Sequence, residues 1–207
     1  MSKFIYILDP GHGGMIEGKY QTAGKRSPLF DDGKTILYEG VNNRDNVNRI
    51  IAKLEAKGIM CVDIVNSEHD ISLPKRVEDA NRIERPSIYI SIHSDAACNT
   101  GWKEAKGITV YTSPGQTKSD EFANVVIAEL EKQFGNGVKF RQQRADGDKD
   151  YEADFYVLRK TKMPAILIEG GFHTDKEEAA RMLTDEWKDK LTDSIVFAIE
   201  AWEKLHT

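Results

Sequence analysis

The chain has 207 residues, 40% of them hydrophobic and 30% charged, with a formal net charge of −5. That length supports one domain with a substantial core, and the mild negative charge excludes an overall electrostatic drive toward nucleic acid or an anionic membrane. No stretch is long and apolar enough to cross a bilayer, and two cysteines, Cys61 and Cys98, offer no disulfide framework and no Cys-rich zinc site. The N-terminus lacks the small-residue cleavage pattern of a secretory signal, so its apolar residues 4–8 read as a first strand.

Further along, residues 42–57 carry Val47, Ile50, Ile51 and Leu54 on one helical face, and Gly58 stops that helix. Residues 59–65 read as a strand with Cys61 as a buried free thiol. Ser72 caps a helix over 72–85, with Pro74 in its first turn and Val77, Ala80 and Ile83 inward. Strands follow at 87–92 and 107–112, then a helix over 120–134 with Phe122, Val125, Val126, Leu130 and Phe134 on one face. The charge-rich segment 141–154 reads as a solvated surface loop. Strands are expected at 155–158 and 165–168. A capping box, Thr174 to Glu177, opens a helix to about residue 183, and a last helix over 185–205 buries Trp187, Leu191, Ile195, Ala198 and Trp202. Alternating strands and helices predict a single α/β domain: a twisted, mostly parallel or mixed sheet flanked by helices. Ligands of such folds gather beyond the strand ends.

Four short stretches place chemistry at those ends. They are Asp9-Pro10-Gly11-His12-Gly13-Gly14, Glu39-Gly40, His93-Ser94-Asp95 and Glu169-Gly170-Gly171-Phe172. Two histidines, one carboxylate and an open position make a catalytic rather than a structural zinc site, and a further carboxylate beside it is the expected general base. Each residue has a plainer reading when taken alone. His12 suits a glycine-rich turn, Glu39 complements a helix N-terminus, and His93 suits the edge of a core as well as it suits a metal. Glu169 is harder to explain structurally, because it ends the apolar run Ala165 to Ile168, and a carboxylate buried there needs a partner or a raised pKa. Cys98 is a weak candidate for an extra ligand.

Together these segments resemble the zinc-dependent N-acetylmuramoyl-L-alanine amidases of the amidase-3 family. The likeness runs from Leu8 to Phe172 and includes Arg76 with Ala80-Asn81, Gly107 to Tyr111, and Val157-Leu158-Arg159. It implies Zn2+ held by His12, Glu39 and His93, with Glu169 as the catalytic carboxylate, on about six strands flanked by helices. The implied partner is peptidoglycan, cut between N-acetylmuramic acid and the L-alanine of its stem peptide. Residues 1–207 are expected to form one catalytic domain, monomeric, without a separate wall-binding domain, and neither nucleic acid nor membrane insertion is expected. Arg159 suits a carboxylate of the substrate, and equally a salt bridge bracing its own segment.

Two features depart from compact relatives: the longer loop 15–38, and His173, which follows Gly-Phe where an apolar residue is common. His173 reads as a solvent-facing turn residue, with contact to the site as the alternative. The short stretch 95–106 leaves no room for the inhibitory helix that some relatives carry after the second histidine. The setting expected is a phage or prophage lysin, made in the cytoplasm and released to the host wall through holin pores, or else a catalytic piece of a longer exported chain. The competing readings are a zinc peptidase or deacylase acting on another amide, and a wall-binding module without catalysis.

Overall fold

The apolar runs near residues 5, 88 and 165 become the inner strands of one sheet. A computed structural model describes residues 2–143 and 147–206. In chain order these form β1 (Ile5–Pro10), β2 (Met15–Ile16), β3 (Lys19–Tyr20), α1 (Glu39–Glu55), β4 (Cys61–Asp63), α2 (Leu73–Asn81) and β5 (Ser87–Asp95). There follow β6 (Thr109–Thr112), α3 (Lys118–Phe134), β7 (Tyr151–Glu152), α4 (Tyr156–Lys160), β8 (Ala165–Phe172), α5 (Lys176–Met182) and α6 (Asp185–Leu205). The main sheet has six strands in the order β4-β1-β5-β8-β6-β7, while β2 and β3 form a separate small hairpin. Pairing is parallel from β4 through β8; β6 runs antiparallel to β8, and β7 lies parallel to β6. The expected mixed α/β sheet is therefore the one observed.

Successive strand residues point to opposite faces, which sorts the core into two clusters. Tyr6, Leu8, Ile88, Ile90, Ile92, Ile166 and Ile168 pack with apolar residues of α1, α3 and α6. Ile7, Tyr89, Ala165 and Leu167 pack with Val77 and Ala80 of α2 and Val157 and Leu158 of α4. Being covered on both faces is why the central strands read as continuous apolar runs. Three long helices cover the first face, whereas the second carries only two short ones. Farther along that second face Asp9 and Ser91 remain buried, Asp9 against Arg76 of α2, while His93 and Glu169 are only partly covered.

Several elements differ from expectation. Residues 156–160 are helical rather than a strand: β8 already has a partner on each side, and a short apolar run does not by itself distinguish strand from helix. Helix α1 begins at Glu39, whose backbone N–H is held by the Lys25 carbonyl at 3.0 Å. Helix α3 starts two residues early through a capping box between Thr117 and Asp120. The cap of α5 is Asp175, accepting from the N–H groups of Glu177 and Glu178, while Thr174 turns its hydroxyl to Ala97 N. No helix intervenes between β5 and β6. Of the charge-rich segment 141–154, residues 144–146 lie outside the described residues.

Candidate metal centre

Parallel register sets His93 of β5 directly beside Glu169 of β8, on the face that α2 and α4 leave open. His12 follows β1 in a left-handed backbone conformation, φ 66°, which is uncommon outside glycine and needs support. Glu39 arrives from α1, around the end of the sheet. Two glycines permit this convergence. A Cβ at Gly11 would stand 2.1 Å from the His93 ring, and one at Gly40 would stand 1.9 Å from the Gly13 carbonyl oxygen.

The result is a tight triad. Glu39 Oε1 lies 3.3 Å from His12 Nε2 and 3.2 Å from His93 Nδ1, and it accepts from Ser94 N at 3.1 Å. The two imidazole rings meet edge to face with centroids 5.0 Å apart. Glu39 is buried while both histidines keep an edge toward the cleft, their side chains 19% and 17% exposed. One ligand atom from each residue falls within 4.8 Å of the others, a grouping able to hold a metal ion. Glu39 Oε2 is buried without a hydrogen-bond partner. Two nitrogen donors and a carboxylate with an unsatisfied oxygen, open on one side, fit a catalytic metal ion.

The electrostatics of the metal-free protein agree. Burial acts to raise the Glu39 carboxyl, but hydrogen bonds and charge from His12 and His93 outweigh it and hold the group well below the usual carboxylate range. Burial pulls His93 down, yet its bond to Glu39 and the charge of Glu169 leave it raised. Burial pushes Glu169 up to about 8, with Glu39 and Asp95 adding and His93 opposing. Its Oε2 is buried without a hydrogen-bond partner.

A buried network lies beneath. The Arg76 guanidinium of α2 pairs with Asp9 and donates to the carbonyls of Ile71 (2.8 Å), Pro10 (2.8 Å) and His12 (3.2 Å). Asp9 also accepts from the hydroxyls of Tyr89 (2.6 Å) and Ser91 (2.7 Å). Burial alone would raise Asp9, but Arg76 and these hydroxyls hold it low. The network clamps the backbone on both sides of Gly11. His173 proves to be buried at 1% exposure, not solvent-facing. Its Nδ1 lies 3.0 Å from both the Ser94 carbonyl and hydroxyl and 3.8 Å from Glu39 Oε2, and burial holds the ring's pKa down.

A cleft of about 620 Å³ opens over the triad, lined by His12, His93, Glu169, Lys25, Leu73 and Phe155 among others. The loop 15–38 thus contributes Lys25 to the cleft. Arg159 is not part of this lining. It lies on α4, half-exposed and paired with Asp154 at 2.8 Å, beside a separate hollow. Because that segment is a helix, Val157 faces the cleft while Arg159, two residues on, points elsewhere. Cys98 is a free thiol contacting the Gly101 carbonyl and stands outside the triad.

Residues 7–201 match the family described as N-acetylmuramoyl-L-alanine amidase, amidase-3. The chain belongs to the amidase-3 family. It is 28% identical over 193 residues to the N-acetylmuramoyl-L-alanine amidase LytC of Bacillus subtilis, a match covering 91% of this chain and 33% of LytC. The endolysin of Bacillus phage SPP1 is 24% identical over 206 residues, covering 93% of this chain and 63% of the endolysin. This amidase-3 chain thus spans a third to under two thirds of these relatives. The crystal structure of an N-acetylmuramoyl-L-alanine amidase from Clostridium difficile 630 superposes with a TM-score of 0.78 at 28% identity, covering 99% of this chain and 98% of that one.

Sequence reasoning singled out the residues converging on the cleft but assigned no role to Asp9 or Lys25 and only a family likeness to Arg76. Asp9 had a signal: a carboxylate closing an apolar strand carries the same burial problem as Glu169. Lys25 had none, since its place depends on how a long loop folds back.

Proposed function

We propose that this chain is a zinc-dependent N-acetylmuramoyl-L-alanine amidase, with residues 1–207 acting as one catalytic domain on peptidoglycan. The observation that carries the reading is the register of His93 beside Glu169, which sets a partnerless carboxylate next to a three-ligand metal group. His12, Glu39 and His93 would hold the ion, and the imidazole–carboxylate donor set suits zinc. Zinc there would supply Lewis acidity and an acidified water at neutral pH.

The remaining steps belong to the protein. Glu169, at the cleft floor, takes a proton from the attacking water and orients the water's lone pair toward the lactyl amide carbon. The same carboxyl then delivers that proton to the alanine nitrogen, so that nitrogen leaves as an amine rather than an amide anion. Burial raises this carboxyl, and a zinc ion held by the triad would lower it again, toward a group that both accepts and releases the proton. His173 and Ser94 keep Glu39 in place, since a buried ligand carboxylate holds its orientation only if its surroundings fix it. The Asp9–Arg76 network fixes the His12 backbone. Lys25 and Phe155 line the approach, a cation and an apolar surface suited to a substrate carrying carboxylates and methyl groups.

The likeness to the SPP1 endolysin supports a lysin setting, and that to LytC of Bacillus subtilis a bacterial amidase; either setting is consistent with action on the cell wall. The test is mass spectrometry of digested peptidoglycan together with a bound-metal measurement. Stem peptides with a free N-terminal L-alanine and uncut glycan strands are expected. New reducing ends, or new amines only at interior stem positions, would reject the amidase assignment.

A further inference from the structure

Away from the cleft, a second set of acidic groups converges where β6 ends, α3 begins and β7 starts. Asp120 lies in the first turn of α3, and Asp148 and Asp150 precede β7. One carboxylate oxygen from each falls within 4.8 Å of the others. β6 runs antiparallel to β8, with Thr109 opposite Glu169, so this cluster sits at the far end of β6 from the catalytic carboxylate.

Three acidic residues in proximity are common on protein surfaces, but here two are buried and Asp148 is half-buried. Asp150 is 1% exposed and Asp120 is 5% exposed. One oxygen of Asp150 accepts from the Thr112 hydroxyl at 2.5 Å; the other, Oδ1, is buried without any hydrogen-bond partner. Asp148 Oδ1 is also buried and unpartnered, while its Oδ2 has only a long contact to Gln116 Nε2 at 3.4 Å. Among the described residues no Lys or Arg pairs with any of the three carboxylates. Lys149, between two of them in sequence, turns away to Glu131 at 2.7 Å. Asp120 already accepts from the Thr117 N–H, but Asp148 and Asp150 face one another, each with a buried oxygen that no donor satisfies. With no described Lys or Arg beside them this is costly, and a bound cation would relieve it.

We propose that Asp120, Asp148 and Asp150 form a calcium site, distinct from the catalytic metal centre. The donors are all oxygen, which selects a hard cation over zinc. They come from a helix and an irregular turn, and Ca2+ tolerates the uneven geometry and higher coordination that such donors give, whereas Mg2+ demands a near-ideal octahedron. The Thr112 hydroxyl, the Gln116 side-chain oxygen and water are at hand to complete the shell. Occupied, the site would tie the turn at 147–150 to α3 and β6. Tyr151, which follows that turn, lies under the Arg141 guanidinium, which also covers Phe172 and reaches Asp95 at 2.9 Å.

The test is calorimetric titration of CaCl2 into the full chain at pH 7.5, after saturation with one equivalent of zinc, alongside thermal unfolding. One Ca2+ per chain is expected, with a dissociation constant on the order of 0.1 mM. The melting temperature should rise by roughly 5–10 °C at about 100-fold excess over that constant. Asp150→Asn and, separately, the more exposed Asp148→Asn should each abolish binding and the calcium shift. Without calcium each should melt at or above wild type, because each removes a repelling charge. His12→Ala, which spares these three residues, should bind calcium normally. Absence of calcium binding to wild type overturns the proposal. So does a shift that survives in both variants, or an equal response to MgCl2.

Discussion

Replacing Arg76 by methionine is the sharpest probe of how the fold holds the His12 turn. The substitution keeps an unbranched apolar stem and removes one partner of a buried ion pair together with the bonds to the Ile71, Pro10 and His12 carbonyls. Breaking a buried pair from one side costs about 3–5 kcal/mol, because the surviving charge is left uncompensated. Asp9 keeps two hydroxyl donors, Tyr89 and Ser91, which favours the lower half of that range. Urea unfolding of the metal-free protein should show this loss at pH 7. Deprived of Arg76, the Asp9 pKa rises above its unfolded value, so the cost should shrink as pH falls toward 4 and the carboxyl protonates in place. The double variant Asp9→Leu/Arg76→Met should be less damaged than Arg76→Met alone. Zinc affinity should fall about 10–100-fold as the His12 backbone loosens. A stability change under about 1 kcal/mol with unaltered zinc affinity would refute the view that this network positions His12.

Glu169→Gln preserves shape but cannot take a proton, so it should retain zinc and lose roughly 100-fold or more in turnover; release of the metal would instead make Glu169 a ligand. Chelation should abolish activity and zinc should restore it, and His12→Ala or His93→Ala should lose both metal and activity. The folded-state pKa of Glu169 is raised from 4.5 to about 8 and that of His93 is also raised. Groups raised on folding stabilise at low pH, and that contribution fades as pH climbs through their folded values. Metal-free protein should therefore weaken between about pH 5 and 8, and Glu169→Gln should flatten the trend in a melting series; a parallel trend in both proteins would sink this attribution. His173→Phe should lower zinc affinity about 10–100-fold while keeping the fold, checked by competition with a chromogenic chelator; unchanged affinity would show that His173 does not steady Glu39.

The sequence exposes those parts of the molecule whose physics is local. Residues 5–8, 88–92 and 165–168 are mainly apolar because helices cover both faces of their strands, and such runs are visible without the fold. His12, His93 and Glu169 are legible because polar groups at the ends of those runs are conspicuous against them. Glu39 is ambiguous on its own, since a first-turn acid is ordinary, and only the return of α1 around the sheet end gives it company. Residues 155–158 read as a strand because a short apolar run carries no period, whereas Tyr156–Lys160 form a helix, settled by what neighbours β8. Arg159 is open in the sequence between a substrate contact and a brace, and its ion pair with Asp154 corresponds to the brace. His173 is hidden for a different reason, since the depth of a turn beneath the surface is set by tertiary packing of Ser94 and Glu39, which no local pattern records.

Both rims of the main sheet are minimal: three residues in β4 and two in β7. A long flat edge strand presents a row of unpaired backbone groups onto which another chain can add, which is how sheet proteins polymerise. Here each rim offers room for only a bond or two before the chain turns away, and β4 ends in the charge of Asp63. Strand-to-strand growth of one molecule upon another has almost no template, so copies crowded on a surface can remain separate bodies.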